Sequence, residues 1–142
     1  MQREKAPDFC LPTLDSEETI CLKDLYGKAI LLTFWVTWCP ACQSELPKKD
    51  IFSRSLDIHH FAFYSINVTG REMDPKQVKP YMEQHGYQFP VLLDQGRATY
   101  DAYQITSVPT SVLIDPKGTI VNRYPETTPF AEVIKDIGRV LS

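Results

Sequence analysis

The longest apolar stretch of the chain, Ala29-Ile30-Leu31-Leu32-Thr33-Phe34-Trp35-Val36, is hydrophobic almost without a break. A strand that reads this way is covered on both faces, as in a parallel sheet, so the run predicts the central strand of the fold. A second apolar and aromatic run, from His60 to Val68, predicts a neighbouring strand. Ahead of both, Asp8-Phe9-Cys10-Leu11 and Thr19-Ile20-Cys21-Leu22 alternate in character around the polar turn Asp15-Ser16-Glu17-Glu18. Alternation on either side of a turn predicts an opening β-hairpin that aims Phe9, Leu11, Ile20 and Leu22 at the core.

Between and after these runs the pattern becomes helical. Pro40 to about Arg54 reads as a helix, with Pro40 at its first position and Pro47 bending it farther along. Pro75 to His85, stopped by Gly86, reads as the next, although Pro80 weakens its first part. The short run Val91-Leu92-Leu93 is followed by a helical stretch from Ala98 to Tyr103. Thr110 to Ile114 and Thr119 to Arg123 flank Asp115-Pro116-Lys117-Gly118, whose proline and glycine stand where a type I turn wants them, so this segment predicts a second hairpin. The chain ends in a helix with Thr128 as N-cap, Pro129 at its first position, and Phe130, Val133, Ile134 and Ile137 on one face. The predicted order is hairpin, β, α, β, α, β, β, α. Strands interleaved with helices imply an α/β fold, a central mixed β-sheet with helices on both faces and an N-terminal β-hairpin.

Composition narrows what such a fold would do. The 142 residues suit one compact domain, 1–142, and 43% hydrophobic with 23% charged residues excludes disorder and fibrous repeats. The formal charge is −3 with no basic block to track a phosphate backbone, so nucleic acid is not an expected partner. No apolar run reaches the roughly 18 residues of a membrane span. Met1-Gln2-Arg3-Glu4-Lys5 lacks the hydrophobic core of a secretory signal. Two locations stay open: the cytoplasm, or an outer compartment reached through a leader that this sequence does not include.

Four cysteines carry the chemistry, at positions 10, 21, 39 and 42. Only one pair has C-x-x-C spacing, and His59, His60 and His85 lie away from it, so neither zinc nor any other metal is expected. Trp38-Cys39-Pro40-Ala41-Cys42 follows a buried strand and opens a helix. Cys39 then falls at the N-cap, and Cys42 falls one turn along on the same face, close enough to be bridged without backbone movement. Unpaired N–H groups and the positive end of the helix dipole favour a thiolate at Cys39, which makes it the attacking sulfur and Cys42 the resolving one. By itself a C-x-x-C reads equally as a structural disulfide or an inert core pair; the strand before and helix after favour redox chemistry. Cys10 and Cys21 sit on outward positions of the opening hairpin. They are either a structural disulfide formed in an oxidising compartment or two small surface-strand residues.

A distant element completes the pattern: Thr106-Ser107-Val108-Pro109-Thr110 puts a proline at the end of a loop just before a strand. Alone this is a trans proline at a strand edge. Together with the C-x-x-C it resembles the thioredoxin superfamily, in which a cis-proline loop faces the cysteines and the residue before the proline offers its backbone to an extended substrate. Ala6-Pro7-Asp8-Phe9, Leu25-Tyr26-Gly27-Lys28, Phe34-Trp35, Glu45-Leu46-Pro47, Phe89-Pro90-Val91 and Asp115-Pro116-Lys117-Gly118 narrow the resemblance to TlpA/ResA-type proteins. These are extracytoplasmic bacterial thiol-disulfide oxidoreductases, often membrane-anchored, that reduce disulfides of apocytochrome c or of envelope and spore-wall proteins. The resemblance implies a thioredoxin-like fold and catalysis by Cys39, Cys42 and Glu45. It implies a substrate-binding wall of Trp38, Pro40, Val108 and Pro109, and no cofactor beyond the cysteine dithiol. Partners would be protein disulfides and an upstream membrane or soluble thiol donor, the chain would be a monomer, and an N-terminal anchor outside this sequence would hold it at the outer face of the cytoplasmic membrane. Where thioredoxin keeps a buried acid on the central strand, this chain has Thr33; Glu45, three residues after Cys42, matches the acid that the TlpA/ResA branch uses instead. Otherwise Glu45 is a solvated helix residue.

Two other functions fit less well. A peroxiredoxin-like peroxidase needs P-x-x-x-T-x-x-C, but the two required positions before Cys42 hold Trp35 and Cys39, and those before Cys39 hold Leu32 and Val36. A copper-handling module of the same fold wants C-x-x-x-C and a distal histidine, and the spacing here is one residue short.

Overall fold

The computed structural model describes residues 4–141; the start read at Met1, Gln2 and Arg3, and Ser142, lie outside the described residues. The central run forms β4 (Ala29–Trp35), every residue of which is buried. It pairs in parallel with β5 (Phe61–Asn67), Leu31 opposite Phe63 and Trp35 opposite Asn67, and β5 pairs in parallel with β6 (Val91–Leu93). On its other side β4 runs antiparallel to β7 (Thr110–Ile114), which turns into β8 (Thr119–Pro125). A short strand β1 (Glu4–Lys5) closes the far edge against β8, so the six-stranded order is β1-β8-β7-β4-β5-β6. The opening hairpin, β2 (Cys10–Pro12) and β3 (Thr19–Cys21), is a separate two-stranded sheet, tied to the β6 edge by a bridge from Thr13 to Leu92.

Alternation along the strands assigns the helices to faces. Phe52 of α1 (Pro40–Arg54) makes edge-on ring contacts with Phe61 and Phe63 of β5 and Phe130 of α4 (Phe130–Leu141). Trp35 of β4 meets Tyr81 of α2 (Val78–His85) on the same face. Phe34, pointing the opposite way, packs against Tyr100 of α3 (Ala98–Ala102) and Tyr103, and Tyr103 in turn meets Phe9 beside the hairpin. The mixed sheet with helices on both faces is therefore as expected.

Several expectations need correction. The predicted order left out β6 and α3 and did not foresee β1, a two-residue strand whose place is set by pairing across the chain. Pro75–Gln77 forms a 3-10 turn, and α2 proper begins at Val78, which puts Pro80 in a first turn where its missing N–H costs little. Gly86 does end that helix, with a left-handed φ of 68°. Pro47 lies inside α1, which runs on to Arg54 as expected. The last helix starts at Phe130, one residue later than expected, so Pro129 precedes it and Thr128 is not its cap. Val133 and Ile137 are buried, but Ile134 is 42% exposed. Phe9, Leu11 and Leu22 enter the core and the half-buried Ile20 packs against it, as the hairpin reading expects.

Candidate active site

The site is built at the carboxyl end of β4, where the strand hands over to α1. Cys39 is the N-cap of α1, in extended backbone, and its Sγ accepts the backbone N–H of Cys42 at 3.1 Å. This is one of the N–H groups that a helix start leaves unpaired, and the sulfur satisfies it. Pro40 follows at the first helical position, where the lack of an N–H is harmless. Both sulfurs are free thiols, Cys39 6% exposed and Cys42 completely buried. Burial, above all, pushes the Cys42 thiol well above the ordinary range, and the neighbouring Cys39 and the charge of Glu45 add to this. Burial thus favours the protonated form of the Cys42 thiol.

The cis-proline loop lies across from the motif. The Val108-Pro109 bond is cis, and the Cys39 thiol points at the Val108 carbonyl oxygen 3.6 Å away. Trp38 is 45% exposed and flanks the cysteine, its ring held by a hydrogen bond from Nε1 to the Arg71 carbonyl at 2.8 Å. Glu45 lies one turn beyond Cys42 on α1, its side chain 19% exposed, and accepts a hydrogen bond from Lys49 Nζ at 3.2 Å. Beside it an open cleft of about 520 Å³, lined by Pro40, Ala41, Ser44 and Glu45 on one side and Glu126 and Phe130 on the other, connects this edge of the motif to solvent. Thr33, buried in β4, has its hydroxyl paired with Ser111 of β7 at 2.7 Å and supplies no carboxylate under the cysteines.

The structure thus sets Trp38, Cys39, Pro40, Cys42 and Glu45 along the start of α1, with Val108 and cis-Pro109 facing Cys39. Cys10 and Cys21 stand apart in the hairpin, directly opposite each other with Cα atoms 3.9 Å apart, and are joined by a disulfide. Among the described residues no three His, Cys, Asp or Glu side chains converge where they could hold a metal ion.

The sequence reading missed the residues that hold the loop before the motif. Glu72 accepts from the Thr37 N–H at 2.7 Å, the Thr37 hydroxyl at 2.6 Å and the Asn67 amide at 2.8 Å. Gln43 donates to the Thr37 carbonyl at 3.2 Å. The Arg71 guanidinium stands 6.0 Å from the Trp38 ring and donates to the Tyr100 hydroxyl at 2.8 Å. Thr37 and Glu72 are 35 residues apart, so no local pattern announces the clamp.

The AhpC/TSA family profile matches residues 3–123. The chain belongs to that family. Thioredoxin-like protein YneN of Bacillus subtilis strain 168 is 36% identical over 117 residues, which make up 82% of this chain and 67% of that protein. Thiol-disulfide oxidoreductase ResA of Halalkalibacterium halodurans is 33% identical over 118 residues, 83% of this chain and 65% of the relative. This member of the family therefore spans about two thirds of the length of these relatives. Among solved structures, the exposed lipoprotein thioredoxin of Streptococcus pneumoniae superposes with a TM-score of 0.84 at 26% identity, over 94% of this chain and 99% of that one. The ResA-type resemblance read from the motifs is borne out by these relatives. No helix among the described residues is long and apolar enough to cross a membrane.

Proposed function

We propose that this protein is a thiol-disulfide oxidoreductase that reduces protein disulfides through Cys39 and Cys42. The observation that carries the reading is the position of Cys39 Sγ, capped by the Cys42 N–H and 3.6 Å from the carbonyl of Val108 before cis-Pro109. The Cys39 thiolate attacks one sulfur of a substrate disulfide; the S–S bond breaks and the other sulfur leaves as a thiolate. Cys42 then attacks Cys39, releasing the second substrate thiolate and leaving a Cys39–Cys42 disulfide, so two electrons pass to the substrate. Glu45 takes the Cys42 proton in that second step and passes it to solvent through the cleft. An extended substrate segment lies along Val108 and Pro109, between Trp38 and Pro40. An upstream thiol donor, membrane-bound or soluble, returns the pair to the dithiol.

No cation stands between the cysteines to hold the Cys39 thiolate strongly, which favours the reducing direction. The disulfide in the hairpin fits an oxidising compartment, and we place the protein outside the cytoplasm, acting as a monomer held at the membrane's outer face. Cytochrome c maturation and the redox upkeep of envelope or spore-wall proteins are the settings that the ResA-type resemblance suggests. The test is Cys42→Ser, which should accumulate mixed disulfides with partner proteins that are released by reductant. Trapping by Cys39→Ser and not by Cys42→Ser would reverse the two roles, and trapping by neither would remove the reading.

A further inference from the structure

Lys49 is out of place by ordinary packing rules. It lies two turns beyond Cys42 on the inward face of α1, in line with the buried Cys42 and Leu46, and is itself only 1% exposed. A lysine is almost never fully buried unless it is paired. Its ammonium has two neighbours: the Glu45 carboxylate at 3.2 Å, and the face of Phe130 from α4, whose centroid is 4.4 Å away. Burial lowers the pKa of Lys49, while Glu45 works in the opposite direction. A buried ion pair adds little stability over a well-packed apolar side chain of the same size, so packing alone gives no reason for a lysine here rather than a methionine. The partner, however, is the carboxylate next to Cys42, and Glu45 has the cleft open on its other side whereas Lys49 does not.

We propose that Lys49 is a positioning residue for Glu45, a buried partner whose ion pair anchors the carboxylate beside Cys42 so that it is ready to take the thiol proton. This rests on the role given to Glu45 above. The other charged or titratable groups around the pair are Cys42 and Lys48 on α1 and Glu126 across the cleft, while α4 presents the uncharged Phe130 ring. Cys42 loses a proton and Glu45 gains it, and the Lys49 amine 3.2 Å from the carboxylate keeps it in place for the transfer. Without the cation, ionising the carboxylate is harder, so the pH below which Glu45 ceases to act as a base moves upward.

The experiment uses the reduced protein and the chromogenic disulfide dithiobis(nitrobenzoate). Attack by Cys39 releases one coloured thiol and resolution by Cys42 releases a second, so the ratio of the two rates isolates resolution. In Lys49→Met the acid limb of that ratio should move up by about one pH unit, which on the limb is about a tenfold slower resolution. Lys49→Arg should restore most of it, and Lys49→Gln repeats the test if the methionine variant fails to fold. Lys49→Met added to Glu45→Gln should slow resolution no further, because the lysine acts through the carboxylate. An unmoved limb in Lys49→Met and Lys49→Gln, while Glu45→Gln is slow, would overturn the proposal and leave the Glu45 role standing. Equal slowing by Lys49→Met in the Glu45→Gln background would also overturn it. A Glu45→Gln variant that resolves at the wild-type rate would sink the Glu45 role itself, and this proposal with it.

Discussion

Two cysteines of this protein stand at helix starts, and they have opposite fates. Cys21 precedes the 3-10 turn Leu22–Leu25, takes no hydrogen bond from it, and is bonded to Cys10 across the hairpin. Cys39 precedes a 15-residue α-helix and accepts the N–H of Cys42 while both stay free thiols. A full helix concentrates unpaired N–H groups and a macrodipole at the sulfur, and a single 3-10 turn does not. The second difference is in the partner. Cys10 is an exposed residue at a fixed register position, so the hairpin bond cross-links two strands and stabilises them. Cys42 is buried one helical turn from Cys39 with Glu45 beyond it, which suits a bond made and broken in turnover. The residue type is shared; backbone and burial divide the labour.

The sharpest way to break that division is to remove one pair at a time. Cys39→Ser should lower steady-state disulfide reduction at least about a thousandfold, since the group that starts the reaction is gone. The paired change Cys10→Ser with Cys21→Ser should leave turnover within about twofold, as expected of a site that is independent of the chemistry. A hairpin variant as inactive as Cys39→Ser would show that the two pairs form one relay.

The stability measurement should invert the order. Opening the loop between Cys10 and Cys21, a separation of 11 residues, should cost about 2–3 kcal/mol in chemical denaturation by the chain-entropy estimate. Reduced wild type should fall toward the same midpoint. A loss below about 0.5 kcal/mol, the size of an ordinary surface substitution, would mean the hairpin is held by its packing on the β6 edge.

What the sequence disclosed follows the same line between local and distant. The helix start at Cys39, the Asp115 to Gly118 turn and the opening hairpin are written in neighbouring residues, because caps, turns and alternation act over a few positions. The Val108-Pro109 loop was legible only through resemblance, since a proline before a strand has a simpler explanation. β1 was not legible: its two residues pair with Ile120 and Thr119, and Glu4 takes a bidentate ion pair from Arg123 at 2.9 and 3.0 Å, 119 positions away. That guanidinium holds the Glu4 carboxyl below its usual range, yet nothing near Glu4 in the chain announces it. Lys49 was hidden differently. Its spacing put it on the inward face of α1, but residue type argued for solvent, and only Glu45 and Phe130 together explain its burial.

The smallest expected effect tests the distant half of the site, the clamp on the loop before Cys39. Glu72 Oε2 accepts from the Thr37 N–H and the Asn67 amide, and Oε1 accepts from the Thr37 hydroxyl. A hydroxyl can also accept, so glutamine can reproduce all three bonds: its oxygen takes the two N–H donors and its NH₂ donates to Thr37 Oγ1. Only charge assistance is lost, so Glu72→Gln should cost less than about 1 kcal/mol of stability. Glu72→Ala leaves the half-buried Thr37 N–H and the buried Asn67 amide without an acceptor, and should cost about 1–3 kcal/mol. It should also free Trp38, whose indole leans on Arg71 next to Glu72, and slow Cys39 attack on a peptide disulfide by a few fold. The checks are chemical denaturation, the attack rate, and Trp38 fluorescence read in a Trp35→Phe background. If Glu72→Gln is as damaging as Glu72→Ala, the charge of the carboxylate rather than its geometry holds the loop. If neither variant moves any of the three readings, the loop is held by α1 alone, and both halves of the site are local.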